Sequence, residues 1–408
     1  MKIREFIWRL KAFGTHIPPA PYKPPPIQAF AQTAELGYNR RAVDTYDLII
    51  LGGGISGLGV AREAARRNMK TLLLESRACT GATSNNTLRI IHGGFRYLQH
   101  GDLPRVVKSL LDQGALLHEA PHAVAPLPCV MPLARFGLKS RVPVSCAALL
   151  YGAIMRLCGS PLTQPSVISA AQVDAEIPLL RGLAPHGALC WHDALMVDPH
   201  RVTEMLLREI HTGPVTVLEN TPVASVVRAN DLFEVTDASG TVRRSRAVIN
   251  TLGPWVSRVD IPSYLQGAQP LWCKGFNITI SRQLDPTHGI GVQSDEGRLF
   301  FCVPRGTGTA IGTWYVADAN EGEAPRAHDE EIQLFISAFN RALPGANVRA
   351  DEISGVDVGV IPMIKDSPTG PELLANERIH TAGLYAEVIS TKYTTFRTQG
   401  RKALRAIR

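Results

Sequence analysis

The chain has 408 residues, of which 45% are hydrophobic, and it carries a formal net charge of +7. That apolar content is enough for one large core or two, with two domains as the default. Seven scattered cysteines, never in C-x-x-C spacing, predict neither a disulfide framework nor a metal site. The basic residues lack aromatic interleaving, which argues against a nucleic-acid partner and favours anionic ligands or an anionic membrane surface.

Residues 1–45 form a basic, proline-rich N-terminal extension. Its first 13 residues place apolar side chains on one helical face and basic ones on the rest, as in an interfacial membrane anchor. Packing on the protein's own domain or on a partner is the equal alternative. We therefore predict a cytoplasmic protein with a peripheral membrane or partner contact through residues 1–25. No spanning helix is expected, since no apolar run approaches about 18 residues.

The next segment reads as a strand, a glycine turn, a helix and a second strand. An apolar run at Leu48–Leu51 leads into Gly52, Gly54 and Gly57 at the spacing G-x-G-x-x-G. The first glycine permits the tight turn, the second lets the backbone approach a pyrophosphate, and the third lets the helix pack close to the strand. Glu75 ends the second strand, where its carboxylate can accept hydrogen bonds from an adenosine ribose. This unit predicts FAD or NAD rather than NADP.

Apolar periodicity predicts the downstream elements. The expected helices are 103–119, 199–211, 328–343 and 394–407. The expected strands are 232–236, 242–252, 271–281, 298–303, 309–313, 379–382 and 384–389.

Several segments, taken in order, resemble FAD-dependent glycerol-3-phosphate dehydrogenases, a branch of the D-amino-acid oxidase-like (DAO) family. They are Gly81-Ala-Thr-Ser84, Ile91-His-Gly-Gly-Phe-Arg-Tyr-Leu98, Val248-Ile-Asn-Thr-Leu-Gly-Pro-Trp255, Lys274-Gly275, Ile353-Ser-Gly-Val356 and Thr391-Lys-Tyr-Thr-Thr-Phe-Arg397. The resemblance implies an α/β fold in which a Rossmann-like FAD-binding domain of three segments carries an inserted antiparallel β-sheet substrate domain. The FAD-binding domain is expected to comprise residues 46–130, 196–266 and 350–408. The substrate domain is expected to comprise residues 131–195 and 267–349. We expect the usual C-terminal helical domain of that branch to be missing.

The resemblance also implies which residues contact the flavin. They are Gly52, Gly54, Ile55, Ser56, Gly57, Glu75, Ser76, Thr83, Ser84, Thr251, Gly253, Ser390, Thr391, Lys392, Tyr393 and Thr394. In such enzymes a CH–OH carbon of a small polyol, sugar, hydroxy acid or phosphorylated alcohol transfers hydride to flavin N5. The loop at Lys392 would face the ring edge that gathers negative charge. Quinone or oxygen is the expected electron acceptor.

The residues expected to carry catalysis include both retained and replaced family positions. Arg96, Lys392 and Arg397 resemble the family's active-site cations. An arginine of the family is Asp357 here, which disfavours a phosphate dianion and could pair with Arg96, accept sugar hydroxyls or hold an ammonium group.

A histidine of the family is Asn277 here, and an amide cannot take a proton at neutral pH. The general base therefore stays open among His92, Lys392 and Tyr315. Two other functions also stay open: an FAD-dependent amine or amino-acid oxidase, favoured by Asp357, and a flavin-bearing structural or assembly subunit docked by its N-terminal helix.

Overall fold

The computed structural model describes residues 45–317, 325–367 and 370–407. The predicted N-terminal anchor and tether therefore lie outside the described residues. The helices are α1 Ile55–Arg66, α2 Leu103–Glu119, α3 Arg141–Cys158, α4 Ala170–Glu176, α5 Pro199–Ile210, α6 Asp329–Ala342 and α7 Phe396–Ala406. The strands up to the middle of the chain are β1 Thr45–Leu51, β2 Thr71–Leu74, β3 Ile90–Ile91, β4 Val124–Pro132, β5 Ser166–Ile168, β6 Ala188–Met196, β7 Val215–Leu218, β8 Val223–Ala229 and β9 Leu232–Asp237. The remaining strands are β10 Val242–Asn250, β11 Leu271–Ile280, β12 Gly289–Gln293, β13 Leu299–Arg305, β14 Gly308–Val316, β15 Ile353–Lys365, β16 Glu372–Leu373, β17 Arg378–Ala382 and β18 Tyr385–Ile389.

The first sheet is the predicted dinucleotide-binding sheet. Its strands run in the order β17-β18-β10-β1-β2-β7, and all neighbours from β18 to β7 are parallel. The central run of β1 is fully buried, with Leu48 and Ile50 packing in one apolar cluster and Ile49 and Leu51 in another. A strand covered on both faces needs such a continuous apolar run, which is why its sequence does not alternate.

The second sheet is the predicted substrate sheet. Its strands run in the order β16-β15-β11-β14-β13-β12-β4-β6-β3, and all neighbours in this order are antiparallel except β12 and β4, which are parallel. One face packs on α6 through aromatic rings, including Phe276 edge-to-face against Phe335 at a centroid distance of 5.8 Å. The opposite face carries Asn277 and Asp357, which lie directly opposite each other on β11 and β15. The α/β class with two sheets is therefore confirmed.

The expected division of the chain at residues 130 and 350 stays a prediction. Both β4 and β15 hydrogen-bond within the second sheet, although most of each strand falls in segments predicted for the flavin domain. Strand β4 contains three prolines and lacks an alternating pattern, whereas Val356, Val358 and Val360 of β15 alternate with Asp357 and Gly359.

Helix ends follow the local capping signals. Helix α2 has the predicted bounds, and Asp102 Oδ1 accepts a hydrogen bond from the Arg105 amide at 3.1 Å. Asp198 caps α5 in the same way, through the Arg201 amide. The side chains that satisfy these first-turn amides explain why the two helix starts could be read from sequence.

Helix α3 was not predicted, because it is apolar on nearly all sides and shows no polar face. With 18 residues and a mean hydropathy of 1.3, it is long and apolar enough to cross a membrane by length and composition alone. The core helix of a protein in water passes the same test, so this is weak evidence. The expectation that no helix spans a membrane therefore stays a prediction.

The C-terminal helix α7 packs on α1 at very close range. A Cβ atom added to Gly59 would lie 2.4 Å from the Phe396 carbonyl oxygen, and one added to Gly400 would lie 2.2 Å from the Gly59 carbonyl oxygen. Only glycine permits this backbone approach, which fixes the loop Ser390–Lys392 at the carboxyl ends of the parallel strands.

Candidate active site

The glycine turn lies between β1 and α1. Gly52 has a φ of +91°, and a Cβ atom on Gly57 would lie 1.9 Å from the Gly52 carbonyl oxygen. Gly54 is the N-cap of α1 and offers no side-chain cap, while its added Cβ would meet only the Ser84 hydroxyl, at 3.3 Å. The helix N-terminus therefore faces an opening that suits a phosphate group.

Glu75 lies directly after β2, beside this turn. Its Oε2 accepts a hydrogen bond from the Gly53 amide at 2.6 Å, and its Oε1 accepts one from the Arg77 amide at 2.9 Å. The carboxylate therefore ties the end of β2 to the glycine turn, in the position expected for a ribose contact.

A crevice of ≈ 570 Å³ runs from this turn towards the second sheet. Such a volume is typical of ligand pockets. All predicted cofactor residues line it except Gly57, which packs behind the turn, and Thr394: the lining ones are Gly52, Gly54, Ile55, Ser56, Glu75, Ser76, Thr83, Ser84, Thr251, Gly253, Ser390, Thr391, Lys392 and Tyr393. Segments far apart in sequence thus meet around one opening.

The loop after Glu75 joins the two sheets. The Thr83 hydroxyl accepts a hydrogen bond from the Val360 amide at 3.1 Å, and Asn86 Nδ2 donates one to the Val358 carbonyl at 2.6 Å. Gly359 lies between them, where an added Cβ would be 3.0 Å from the Thr83 methyl. Asn86 and the backbone of β15 therefore belong to the crevice wall, and the sequence signals did not reveal them.

The last loop before α7 places a cation at the crevice. Lys392 Nζ donates a hydrogen bond to the Tyr97 hydroxyl and lies 4.2 Å from the centre of that ring. Burial lowers the pKa of the Lys392 ammonium, and Tyr97 opposes that shift. Behind it, Gln399 links Ser56 to Ser390 through hydrogen bonds of 3.1 and 3.0 Å. The loop Ser390–Lys392 is thus fixed by Tyr97 on one side and by Gln399 on the other.

The two predicted arginines lie in different places. Arg96 is exposed and makes no hydrogen bond or ion pair with any residue that the structure describes, and Tyr315 is the neighbour on which its charge acts. Arg397, in contrast, pairs with Glu119 at 2.8 Å within the helical layer. Arg397 does not line the crevice, and neither do Arg96, His92, Asn277 or Asp357. The predicted substrate role of Arg397 stays a prediction, although its guanidinium is occupied by Glu119.

Asp357 is paired, but with an arginine that was not predicted. Arg305, at the end of β13, forms an ion pair with Asp357 and donates hydrogen bonds to Thr279 Oγ1 at 3.3 Å and the Thr87 carbonyl at 3.0 Å. The expectation that Asp357 pairs with Arg96 is not met. Since 52 residues separate the two partners, no local pattern could have joined them.

Arg89 adds a second guanidinium beside that pair. Its Nε is buried without a hydrogen-bond partner among the described residues. Burial first, and the charge of Arg305 second, lower the pKa of Arg89. The carboxylates of Asp357 and Asp198 act on Arg89 in the opposite direction, so two guanidinium groups and two carboxylates share this corner.

Asn277 is held rather than free to exchange protons. Its Oδ1 accepts a hydrogen bond from Thr313 Oγ1 at 2.8 Å. A Cβ atom on Gly312 would lie 1.9 Å from the same oxygen, so the strand approaches it closely. Asn277 therefore serves as a fixed polar group on the crevice face of the second sheet.

His92 lies on the same sheet face. Its ring centre is 5.7 Å from that of Phe301, which is opposite Gly312 in the sheet. His92 Nδ1 is hydrogen-bonded to Asp193 Oδ2 at 2.8 Å, and the His92 side chain is 52% exposed while that of Asp193 is 2% exposed. The opposite ring nitrogen, Nε2, therefore faces away from Asp193.

Asp193 is the main functional candidate that sequence reasoning missed. Burial raises its pKa, but His92, the Gly93 amide and the Trp191 indole N–H outweigh burial, so the pKa of Asp193 falls below its usual 3.8. The amide and indole donors lie at 2.8 and 3.1 Å. The carboxylate is therefore ionised and fixed in position.

The fold and the crevice define a dinucleotide-binding oxidoreductase. The family model described as "FAD dependent oxidoreductase" (DAO) matches residues 47–386, and the chain belongs to this family. FAD as the cofactor is thereby confirmed. The observed site fits it, because the glycine turn leaves room for a pyrophosphate at the start of α1, where the Ile55 amide donates to the Ser84 hydroxyl at 3.0 Å, while Lys392 brings positive charge to the crevice.

Known relatives agree with the resemblance. The aerobic glycerol-3-phosphate dehydrogenase of Staphylococcus saprophyticus is 25% identical over 343 residues, which cover 81% of this chain and 61% of that protein. The D-erythritol 1-phosphate dehydrogenase of Brucella abortus is 27% identical over 389 residues, which cover 90% of this chain and 74% of that protein. The solved glycerol-3-phosphate dehydrogenase from Bacillus halodurans, complexed with FAD, has a TM-score of 0.65 at 20% identity and covers 89% of this chain and 64% of that one. The chain thus spans about three fifths of the length of the staphylococcal dehydrogenase.

Proposed function

We propose that the protein is an FAD-dependent dehydrogenase that oxidises a CH–OH carbon of a small anionic polyol, with a phosphorylated polyol as the first choice. The carrying observation is the His92–Asp193 pair, whose imidazole lies against Phe301 on the same face of the second sheet as Asn277. It offers an oriented base where Asn277 cannot act as one. The two curated relatives named above act on phosphorylated polyols by name.

When bound, FAD would supply the oxidant that accepts a hydride, which is one proton with two electrons, from the substrate carbon. The substrate hydroxyl must then release a proton, and we assign its capture to His92 Nε2. Asp193 holds the ring through Nδ1 and stabilises the positive charge that the ring gains. This pairing needs no group from Asn277, which is left to orient the hydroxyl by hydrogen bonding.

The other two expected bases are less suited to this role. Burial raises the pKa of Tyr315, so its phenol stays protonated at neutral pH. Lys392 donates a hydrogen bond to Tyr97, an arrangement that uses its protonated form. Lys392 is better placed to stabilise negative charge at the crevice than to remove a proton.

The charge distribution supports an anionic substrate. Arg305 neutralises Asp357, so the replaced family arginine does not leave an uncompensated carboxylate in the site. Arg96 is exposed and unpaired among the described residues. An arginine without a protein partner can bind a phosphate or carboxylate with paired hydrogen bonds.

The same ion pair weakens the case for amine oxidation. That alternative depends on an Asp357 carboxylate free to hold an ammonium group, but Arg305 occupies it. The alternative of a structural subunit depended on lost active-site chemistry, for which the His92–Asp193 pair offers a replacement. We retain quinone or oxygen as the proposed acceptor, and peripheral membrane contact by residues 1–25 as a proposal.

The test is anaerobic reduction of the bound flavin. The purified flavoprotein is mixed with glycerol 3-phosphate, erythritol phosphate, their unphosphorylated forms, hydroxy acids and amino acids, and the flavin absorbance is followed. We expect bleaching by a polyol phosphate. Bleaching by amino acids alone would establish amine oxidation, and no bleaching by any alcohol would refute the proposed activity.

Arg96→Gln tests the anionic end of the substrate. We expect KM for the phosphorylated substrate to rise about 10- to 100-fold, as for the loss of a charged hydrogen bond, with little change for the unphosphorylated form. Arg208→Gln, on the exposed side of α5, is the matched control. An equal rise for both substrate forms would show that Arg96 does not contact the phosphate.

A further inference from the structure

The carboxylate that holds His92 has a further neighbour, Gln113 on α2, which is only 1% exposed. Its Nε2 donates hydrogen bonds to the Ile91 carbonyl at 2.6 Å and to Asp193 Oδ1 at 3.4 Å. The Gly93 amide donates to the same Asp193 oxygen at 2.8 Å. Gln113 therefore contacts both the carboxylate partner of His92 and the backbone on one side of it.

The orientation of the Gln113 amide follows from these contacts. A carbonyl and an ionised carboxylate only accept hydrogen bonds, so both must face the NH₂ group of the amide. The Oε1 atom of Gln113 is then on the other side, where it is buried without a hydrogen-bond partner among the described residues. A buried acceptor of this kind needs a donor, because a polar atom that is removed from water and left unsatisfied is costly.

The Tyr151 hydroxyl is the donor nearest at hand. Tyr151, on α3, is fully buried, and its hydroxyl also lacks a hydrogen-bond partner in the part of the chain that the structure describes. A Cβ atom added to Gly93 would lie 2.2 Å from this hydroxyl and 3.0 Å from Gln113 Oε1. The two oxygens thus border one small space and are at most about 5 Å apart, a span that a bridging water covers.

The charge of Asp193 acts on Tyr151 as well as on His92. Burial first, and Asp193 second, raise the pKa of the Tyr151 phenol, so it stays protonated and can donate. Asp193 also acts on Cys129 and His192, but burial raises the pKa of the Cys129 thiol and lowers the pKa of His192, so both are uncharged at pH 7. His92, at 52% exposed, is the member of this set that can exchange a proton with a ligand.

We propose that Gln113 and Tyr151 are positioning residues, which join α2 and α3 to the His92 imidazole through one hydrogen-bonded chain. The phenol donates to Gln113 Oε1, directly or through one water, and the Gln113 amide donates to Asp193. Each donor to that carboxylate spreads its negative charge, which sets how tightly the imidazole holds a proton. This role for the two residues rests on the proposed function, in which His92 is the base.

Gly93→Ala tests the shared space without any substrate. The added methyl would collide with the Tyr151 hydroxyl, so we expect the unfolding temperature to fall by several degrees. Tyr151→Phe removes the colliding oxygen, so the cost of Gly93→Ala should be at least halved in that background. Equal costs in the two backgrounds would show that the phenol does not occupy this space, and would overturn the proposal.

The main experiment measures the protonation of His92 in the full-length, flavin-loaded protein without substrate. Diethyl pyrocarbonate modifies the unprotonated imidazole, and mass spectrometry of the tryptic peptide 90–96, in which His92 is the one histidine, gives the rate at a series of pH values. We expect Tyr151→Phe and Gln113→Leu to raise the pH of half-maximal modification by about 0.5–1 unit. Asp193 then has fewer effective donors and holds the protonated imidazole more firmly.

Tyr385→Phe is the matched control, since it removes an equally buried hydroxyl that contacts Asn250 in the first sheet. It should leave the modification profile unaltered. Flavin absorbance and circular dichroism check that each variant is folded. With a substrate that reduces the flavin, Tyr151→Phe should slow reduction about two- to threefold at pH 7 and leave it unchanged at pH 9, whereas a purely structural defect would slow it equally at both.

The outcomes separate this proposal from the proposed function. An unchanged modification profile in both Tyr151→Phe and Gln113→Leu would overturn the hydrogen-bonded chain, whichever alcohol reduces the flavin. A shift of the same size in Tyr385→Phe would also overturn it, because any lost buried hydroxyl would then have this effect. A shift confined to the first two variants, in a protein whose flavin no alcohol reduces, would support the chain and refute the proposed function.

Discussion

At the residue scale, the site depends on pairs of charged groups whose members come from distant parts of the sequence. Asp193 holds His92, and Arg305 holds Asp357. Under the proposed function, each pair would supply what the single replaced residue lacks: an oriented base in the first case and a compensated charge in the second. The replaced positions Asn277 and Asp357 therefore do not by themselves remove the active-site chemistry.

Asp193→Asn tests the role of Asp193 as a positioning residue. We expect kcat to fall about 100-fold or more, within the range for a disabled general base, with a much smaller change in KM. His92→Gln should have a similar effect. In the double variant, Asp193→Asn should add almost nothing to the loss caused by His92→Gln, because the carboxylate acts only through the ring.

A purely structural role for Asp193 predicts a different outcome. Asparagine would then weaken activity equally in the presence and absence of His92, and it would lower the unfolding temperature in parallel. Additive losses in this cycle would contradict the proposed pair.

Glu377 gives a residue-scale prediction about stability and pH. It bridges Lys108 of α2 at 3.1 Å and Lys402 of α7 at 2.6 Å. Burial raises its pKa, but the two lysines prevail and lower the pKa of Glu377 to about 2. A carboxyl with a lowered folded pKa contributes stability above its unfolded pKa of about 4.5 and loses it as the pH falls towards about 2.

Glu377→Gln should therefore reduce the free energy of unfolding by about 1–3 kcal/mol at pH 7, and the difference should shrink as the pH is lowered to 3. Urea unfolding at a series of pH values measures it. Glu372→Gln is the control, because its pair with Lys365 is exposed and worth less than about 1 kcal/mol. A loss that does not depend on pH would show that packing, not the charge, is responsible.

At the element scale, two glycines decide how α7 meets α1. Gly400→Ala should destabilise the protein by more than about 2 kcal/mol, since the added methyl would lie 2.2 Å from the Gly59 carbonyl oxygen. Gly114→Ala is the matched control in the middle of α2, where nothing lies within 4 Å of the added Cβ.

The control should stabilise by about 0.5–1 kcal/mol, because alanine favours a helix over glycine. Urea midpoints measure both variants. Similar shifts for the two would mean that the α1–α7 crossing can open without loss, and that α7 does not depend on this close approach.

The elements that could be predicted are those whose reasons are local. The β1, glycine turn and α1 unit is specified by a buried strand and three glycines, and α2 by apolar spacing with the Asp102 cap. Helix α3 could not be predicted, because its exposed side is as apolar as its buried side. Likewise, β4 and β15 depend on partners contributed by other parts of the chain.

The site residues also divide into those that a local motif specifies and those that depend on distant partners. The residues that line the crevice near the glycine turn were predicted, since their motif carries its own geometry. Asp193 and Arg305 were not, because 101 and 52 residues separate them from His92 and Asp357, and only the assembled sheet brings them together. Buried ionised partners of this kind leave no local sequence pattern.

At the scale of the whole molecule, the crevice lies between the two sheets and takes its walls from both. Its lining includes Gly52 and Glu75 from the first sheet, and Val358 and Val360 from the second. A ligand that fills such a crevice stabilises the folded chain by mass action, by about 4 kcal/mol when it is present at about 1,000 times its Kd. Removing the flavin should therefore lower the unfolding temperature of the whole described unit.

We expect added FAD to raise the unfolding temperature of the flavin-free protein by several degrees, in a concentration-dependent manner, as followed by calorimetry. FMN should have a much smaller effect, because it lacks the adenosine half that the turn and Glu75 are placed to bind. Gly54→Val should abolish the FAD response by filling the opening at the start of α1, whereas Gly355→Val, in open space on β15, should preserve it. Equal stabilisation by FMN, or an unchanged FAD response in Gly54→Val, would show that the glycine turn is not what holds the dinucleotide.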